Sequence, residues 1–197
     1  MKKALKALAI IFVAAISIAI CSTAAYSQKI INNEADALAV YAQAKAFVAR
    51  YKMSVPRDVI LRLETEAQIQ SDFSRQGRSG ANVEAYYQPY GPECICIPEG
   101  LSETEFFATA VHELTHAWQS SACPMQDRSF KEGLSSWMTA QAYQSKGRVD
   151  LAINYLNYIS RTDAVENQTV NKLNMIFRSK GIDEVINYVT SNSKYTE

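Results

Sequence analysis

The sequence predicts an α+β fold, in which one helix and a small N-terminal β-sheet precede an all-helical half. Three patterns carry that prediction. Apolar residues recur at helical spacing through Ala37, Leu38, Val40, Tyr41, Ala44, Phe47 and Val48. Between Val59 and Pro98 the apolar runs are short and broken by Gly and Pro. From Ser102 onward every periodic segment has the period of a helix.

In chain order, the first helix covers residues 33–51, with Pro56 beyond its end. Residues 59–67 begin apolar and then alternate, as a strand does when one face meets solvent. Residues 72–80 contain Gly77, Ser79 and Gly80 and read as a turn or loop. Strands at 82–87 and 94–98 follow, joined around Pro89, Gly91 and Pro92. Ser102 and Glu105 then form a capping box, opening a helix over 102–121. Phe106, Phe107, Ala110, Val111, Leu114, Ala117 and Trp118 give that helix a broad apolar surface. Further helices are expected at 129–145, which stops at Gly147, and at 149–160, 164–179 and 182–191. No repeat or low-complexity linker divides residues 28–197, so they are expected to form a single domain.

The first 27 residues have another character. Lys2, Lys3 and Lys6 precede an uncharged apolar run over 7–20, and small residues follow at Ser22 to Ala25. That is the pattern of a secretory signal peptide, its apolar run short for a bilayer span. The expected protein is therefore exported, periplasmic or secreted, with no stable membrane insertion after signal removal. Losing three leader lysines from a chain with 20 basic and 20 acidic side chains takes the net charge from zero to −3. A mildly acidic exported chain is poorly suited to nucleic acid.

Export also gives the cysteines a reading. Cys94, Cys96 and Cys123 are an odd number in an oxidising compartment. Two residues apart on a strand, Cys94 and Cys96 face one side and are poorly placed to bond each other. The expectation is a bridge from one of them to Cys123. A cysteine zinc site is the weaker reading, because C-x-C lacks the usual C-x-x-C spacing.

The chemistry lies in His112-Glu113-Leu114-Thr115-His116, which holds the chain's only two histidines. Positions i and i+4 stack one turn apart on a helix face, so both imidazoles can meet one ion. Glu113, one step round the helix, is then placed to take a proton from an attacking water. A catalytic zinc site typically takes three protein ligands and keeps a fourth position open. With no third histidine, the remaining ligand must be a carboxylate or a thiolate. Glu132, 16 residues after His116 and followed by Gly133, is the favoured candidate. Asp127 and Cys123 are the alternatives. Ser129 and Glu132 also fit a capping box, which would give that glutamate a merely local role.

His112-Glu-Leu-Thr-His-Ala-Trp118 followed by Glu132-Gly133 resembles the peptidase domain of the DA1 family. There, HExxH-Ala-Trp precedes a Glu-Glu-Gly segment. The likeness runs well from residue 95 to about 138 and more loosely to the Phe177-Arg-Ser-Lys-Gly181 segment. Lys131 stands where the family often has the first of its two glutamates. The LIM and ubiquitin-interacting segments of eukaryotic members are absent from this sequence.

The resemblance implies a minimal zincin-like fold of gluzincin type, with His112, His116 and Glu132 as Zn²⁺ ligands and Glu113 as the general base. The expected function is an exported zinc metallopeptidase acting on a peptide or protein substrate. Strand 94–98 would align that substrate by edge pairing, and Tyr143, Tyr155, Tyr158, Tyr86, Tyr87 and Tyr90 are candidates to stabilise an oxyanion. Trp118 and Trp137 are expected to pack the two ligand-bearing helices together. The alternatives are a secreted zinc-containing binding or structural module without catalysis, and a zinc hydrolase of non-peptide amides.

Overall fold

A computed structural model describes residues 28–56, 58–75, 85–89 and 91–192. The leader over 1–27, the Gly/Ser-rich part of the 72–80 loop, the start of the 82–87 strand and Tyr90 lie outside the described residues. The observed fold is α+β, with the elements α1-β1-α2-β2-β3 followed by the helical half.

Helix α1 (Glu34–Arg50) starts at Asn33, whose side chain accepts the Asp36 backbone N–H. It buries Ala37, Val40, Tyr41, Ala44, Phe47 and Val48, the apolar positions read from the sequence, with only Leu38 left outward. Strand β1 (Ile60–Glu64) ends earlier than expected, and a helix, α2 (Glu66–Arg75), takes over. Thr65 caps it: its hydroxyl accepts the Gln68 N–H, while the Gln68 side chain accepts from the Thr65 backbone N–H. This T-x-x-Q capping box outweighs the apparent alternation of residues 63–67.

Strands β2 (Tyr86–Gln88) and β3 (Cys94–Pro98) complete a sheet of order β1-β3-β2, with β1 parallel and β2 antiparallel to β3. Registers Leu61↔Ile95, Leu63↔Ile97 and Tyr87↔Ile95 put these side chains on one face, where they join the main core with α1. The opposite face carries Tyr86, Cys94 and Cys96, which form a small second core with Ile69 of α2. Both faces of β3 are covered, so all five of its residues are buried.

Two expectations fail here. Strand 94–98 is the central strand of the sheet among the described residues, paired with β1 along its whole length and with β2 over Cys94–Cys96, so it is not the edge strand expected to align a peptide. The bridge to Cys123 is also absent: Cys123 belongs to the main core, whereas Cys94 and Cys96 lie on the far face of the sheet with their Sγ atoms 3.9 Å apart. The sheet stands between the thiols that were expected to join.

The helical half is α3 (Glu103–Ala122), α4 (Arg128–Ser145), α5 (Val149–Thr162), α6 (Ala164–Lys180) and α7 (Ile182–Ser191). The Ser102–Glu105 capping box of α3 is formed in both directions. The start of α3 is also strapped to the beginning of the described chain: Glu103 N–H donates to the Lys29 carbonyl (2.8 Å) and Ile31 N–H to the Leu101 carbonyl (2.9 Å). Helix α4 packs against α3, α5 and α6 and is the centre of this half.

The cap of α4 is Asp127, which accepts the Phe130 N–H, and not Ser129. Trp137 of α4 is buried in the same core as Leu114 and Trp118 of α3. Its ring meets Tyr51 and Phe177, and its indole N–H donates to Asn174 (2.9 Å). Gly133 lets α6 come close, since a Cβ there would stand 2.5 Å from Thr169 Cβ. Among the described residues no helix is long and apolar enough to cross a membrane.

Candidate metal centre

The two favoured helices bring three ligand atoms to one point. His112 and His116 lie on consecutive turns of α3, and Glu132 projects toward them from the second turn of α4. His112 Nε2 and His116 Nε2 are 3.1 Å apart, and Glu132 Oε2 lies 3.5 and 3.4 Å from them. A tetrahedral ion with N and O ligands at about 2.0–2.2 Å requires donor-to-donor edges of about 3.3–3.6 Å. The two edges to Glu132 fall in that range and the His112–His116 edge, at 3.1 Å, lies just below it, so a small outward turn of the imidazoles would admit such an ion. The triangle is the one cluster of three or more His, Cys, Asp or Glu groups with metal-site geometry among the described residues.

The remaining sequence candidates are accounted for. Asp127 is occupied as the α4 cap, and Cys123 sits in the main core. Since Asp127 serves that cap, Glu132 is released from the capping-box role.

The outer atoms of the imidazoles are held as a ligand requires. Thr139 Oγ1 donates its single proton to the Ser135 carbonyl (2.8 Å), so at 3.1 Å it can only accept from His112 Nδ1–H. His116 Nδ1 lies 3.1 Å from Gln119 Oε1, again an acceptor, with Ser135 Oγ at 3.2 Å. A proton on each Nδ1 leaves a lone pair on each Nε2. Two lone pairs and a carboxylate then face one another, an arrangement that calls for a cation.

Electrostatics point the same way. Burial alone would raise the Glu132 carboxyl, but hydrogen bonds to both imidazoles and their charge hold it well below the usual carboxylate range. Burial works against a charged His116, yet Glu132 and the nearby charge of Glu113 outweigh it and raise the imidazole above its ordinary value. Glu113 itself is 6 % exposed on the buried shoulder of α3. The ligand side chains are 18–35 % exposed, so the cluster opens to solvent on one side.

Sequence reasoning missed the supporting groups. Ser135, Ser136 and Thr139 follow Glu132 at helical spacing on α4 and are buried, and Gln119 is fully buried on α3. Small polar residues on a face that should be apolar were the available signal. Ser136 donates to Glu166 of α6 and accepts from Tyr155 of α5 (2.8 Å). Burial raises the Glu166 carboxyl despite the Ser136 hydrogen bond, and the Glu132 charge adds to that rise.

The tyrosines divide by position. Tyr155 reaches Ser136 and Thr139, on the Nδ1 side of His112 and so behind the ligand atoms. Tyr143 stacks near Tyr155, Tyr158 is 61 % exposed on α5, and Tyr86 lies on the far face of the sheet. Tyr87 faces the main core. None of the described tyrosines stands out as an oxyanion donor. Comparison with family models, with curated proteins and with solved structures finds no match to this chain.

Proposed function

We propose that the protein is an exported zinc metallopeptidase with His112, His116 and Glu132 as ligands and Glu113 as general base. The observation that carries this reading is the convergence of two imidazole lone pairs and one carboxylate oxygen at 3.1–3.5 Å, with both Nδ1 atoms pinned from behind. A His₂Glu set of borderline and hard donors suits Zn²⁺, and three protein ligands with a solvent-facing side leave room for a reactant.

When bound there, Zn²⁺ would polarise a substrate carbonyl and acidify a water at its open position. Glu113, next to His112 and shielded from bulk solvent, accepts the proton of the attacking water and returns it to the leaving amine. Thr139 and Gln119 hold the imidazoles in the tautomer that keeps each Nε2 available. The DA1-like arrangement of HExxH and Glu132-Gly133 supports the peptidase reading, and the leader pattern supports export.

The test is a chelator-sensitive peptide assay with metal analysis. The wild type should bind one Zn²⁺ and hydrolyse peptides, and Glu113→Gln should keep the metal and lose the activity. An unchanged rate in Glu113→Gln sinks the general-base role.

A further inference from the structure

Beyond the ligands, two buried glutamines form a chain of hydrogen bonds from the last helix to His116. Gln126 Nε2 donates to the Val189 carbonyl of α7 (2.8 Å). Gln119 Nε2 donates to Gln126 Oε1 (3.3 Å) and to the Lys131 carbonyl (3.2 Å). Gln119 Oε1 faces His116 Nδ1 at 3.1 Å and accepts from Ser135 at 3.4 Å. Gln119 is 0 % and Gln126 7 % exposed, so water cannot easily replace these partners.

The direction of this relay is fixed from its far end. A backbone carbonyl can only accept, so Val189 forces Gln126 to present its NH₂, which turns Gln126 Oε1 toward Gln119. Gln126 and the Lys131 carbonyl then both require the Gln119 NH₂, which turns Gln119 Oε1 toward His116. An acceptor there requires a proton on His116 Nδ1 and so a lone pair on Nε2. Reversing either amide would set oxygen against oxygen at a buried carbonyl.

We propose that Gln119 and Gln126 are positioning residues of the metal centre, through which the docking of α7 fixes the ligand tautomer of His116. His112 is served differently, by Thr139 and a carbonyl of the same helix. Among the described hydrogen bonds, the chain that starts at α7 reaches His116 and not His112. Reciprocity follows: if docked α7 favours the ligand form of His116, bound metal must favour docked α7.

This rests on the zinc reading, and the experiment separates the two. Zinc affinity is measured by chelator competition for wild type, Gln119→Met and Gln126→Met, methionine having a similar volume without the amide. In Gln119→Met the Ser135 hydroxyl is free to donate into His116 Nδ1, which moves the ring proton to the ligand atom. Affinity should fall about 10–100-fold, and in the zinc-loaded protein the slowly exchanging His116 Nδ1–H NMR signal should shift or vanish while that of His112 stays. Gln126→Met should weaken zinc less, in the same direction. Zinc should slow amide hydrogen exchange in α7 of the wild type, and this protection should be lost in Gln126→Met.

Folded Gln119→Met with wild-type affinity and an unchanged His116 signal overturns the relay. So does folded Gln126→Met that keeps both affinity and zinc-dependent protection of α7, which remains decisive should Gln119→Met not fold. A wild type that takes up no zinc instead overturns the metal reading, and the relay's role with it.

Discussion

Among the described residues, two clusters, one part-buried and one buried, carry residue types that bind metals, and they are built on opposite terms. At the α3–α4 contact, two imidazoles and a carboxylate aim lone pairs at one point, and other side chains hold them there from behind. On the far face of the sheet, Cys94 and Cys96 lie side by side at 3.9 Å under Ile69 and beside Tyr86. Burial pushes the Cys96 thiol up to about 12, with the hydrogen bond to Tyr86 opposing that rise. A thiol held protonated in an apolar pocket is a packing group. Ligand-type residues close in space are therefore weak grounds for a site; what distinguishes one is converging acceptors with their outer atoms committed elsewhere.

The contrast can be broken most forcefully at the first cluster. Glu113→Gln should lower peptide hydrolysis by about 10²–10⁴-fold without releasing metal, read from initial rates and bound-zinc analysis. Glu132→Gln should weaken zinc by more than the roughly 10–100-fold that loss of an outer partner costs. Retained full occupancy in that variant would remove Glu132 from the ligand set.

Packing behind the cluster gives a smaller effect. Gly133→Ala drives a methyl into Thr169, with contacts of 2.5 and 2.7 Å to its Cβ and Cγ2. It should cost about 1–3 kcal/mol as overpacking, measured by denaturant unfolding. A Gly133→Ala variant as stable as wild type would mean that α6 is free to move away from Glu132.

The metal-free protein should also show a pH signature. Since Glu132 and Glu113 raise the folded His116 value against burial, the folded state keeps a proton that the unfolded chain releases near its ordinary pKa of about 6.5. That stabilisation is complete below the unfolded value and is lost as pH rises through the raised folded value. Thermal midpoints of the metal-free protein should accordingly fall on going from mildly acidic to alkaline pH, and zinc should flatten the trend. A metal-free midpoint that climbs with pH would contradict the charge arrangement described.

The smallest effect belongs to the second cluster. Cys96→Ala should cost about 1 kcal/mol, as an ordinary core truncation does, and leave zinc stoichiometry unchanged. A loss of bound zinc in that variant would erase the distinction between the clusters.

Most of the fold was legible because its signals are local. The α3 helix is written in Ser102, Glu105 and its apolar stripe, and the chain order of sheet before helices follows from where the period changes from 2 to 3.6. The α2 helix was missed because five alternating residues imitate a strand, while the cap that starts at Thr65 within them is completed by Gln68 just beyond. Sheet order was not legible, since nothing local tells β3 that β1 and β2 will flank it. That order removes the expected edge strand, and the face that Cys94 and Cys96 occupy, away from Cys123, removes the bridge.

At the site, the HExxH pair and Glu132 were readable from residue type and spacing. Gln119, Gln126, Ser135 and Thr139 were not, because their roles depend on how α4 and α7 pack on α3. Hydroxyls and amides have no spacing rule of their own; only burial among apolar neighbours marks them out.

The strap of Lys29 and Ile31 across the start of α3 carries a consequence for folding order. The HExxH helix is gripped at its first turn by residues some 70 positions earlier, and beyond its last turn Gln126 bonds to Val189, 63 positions later. Contacts between distant positions form late, after the loops between them have closed. A nascent chain can thus wind α3 on its local signals as soon as it emerges, but the helix stays unanchored at its far end until Val189 has been made. The protein should acquire its finished His116 environment only after α7 has been made, when segments on both sides of α3 have closed on that one helix.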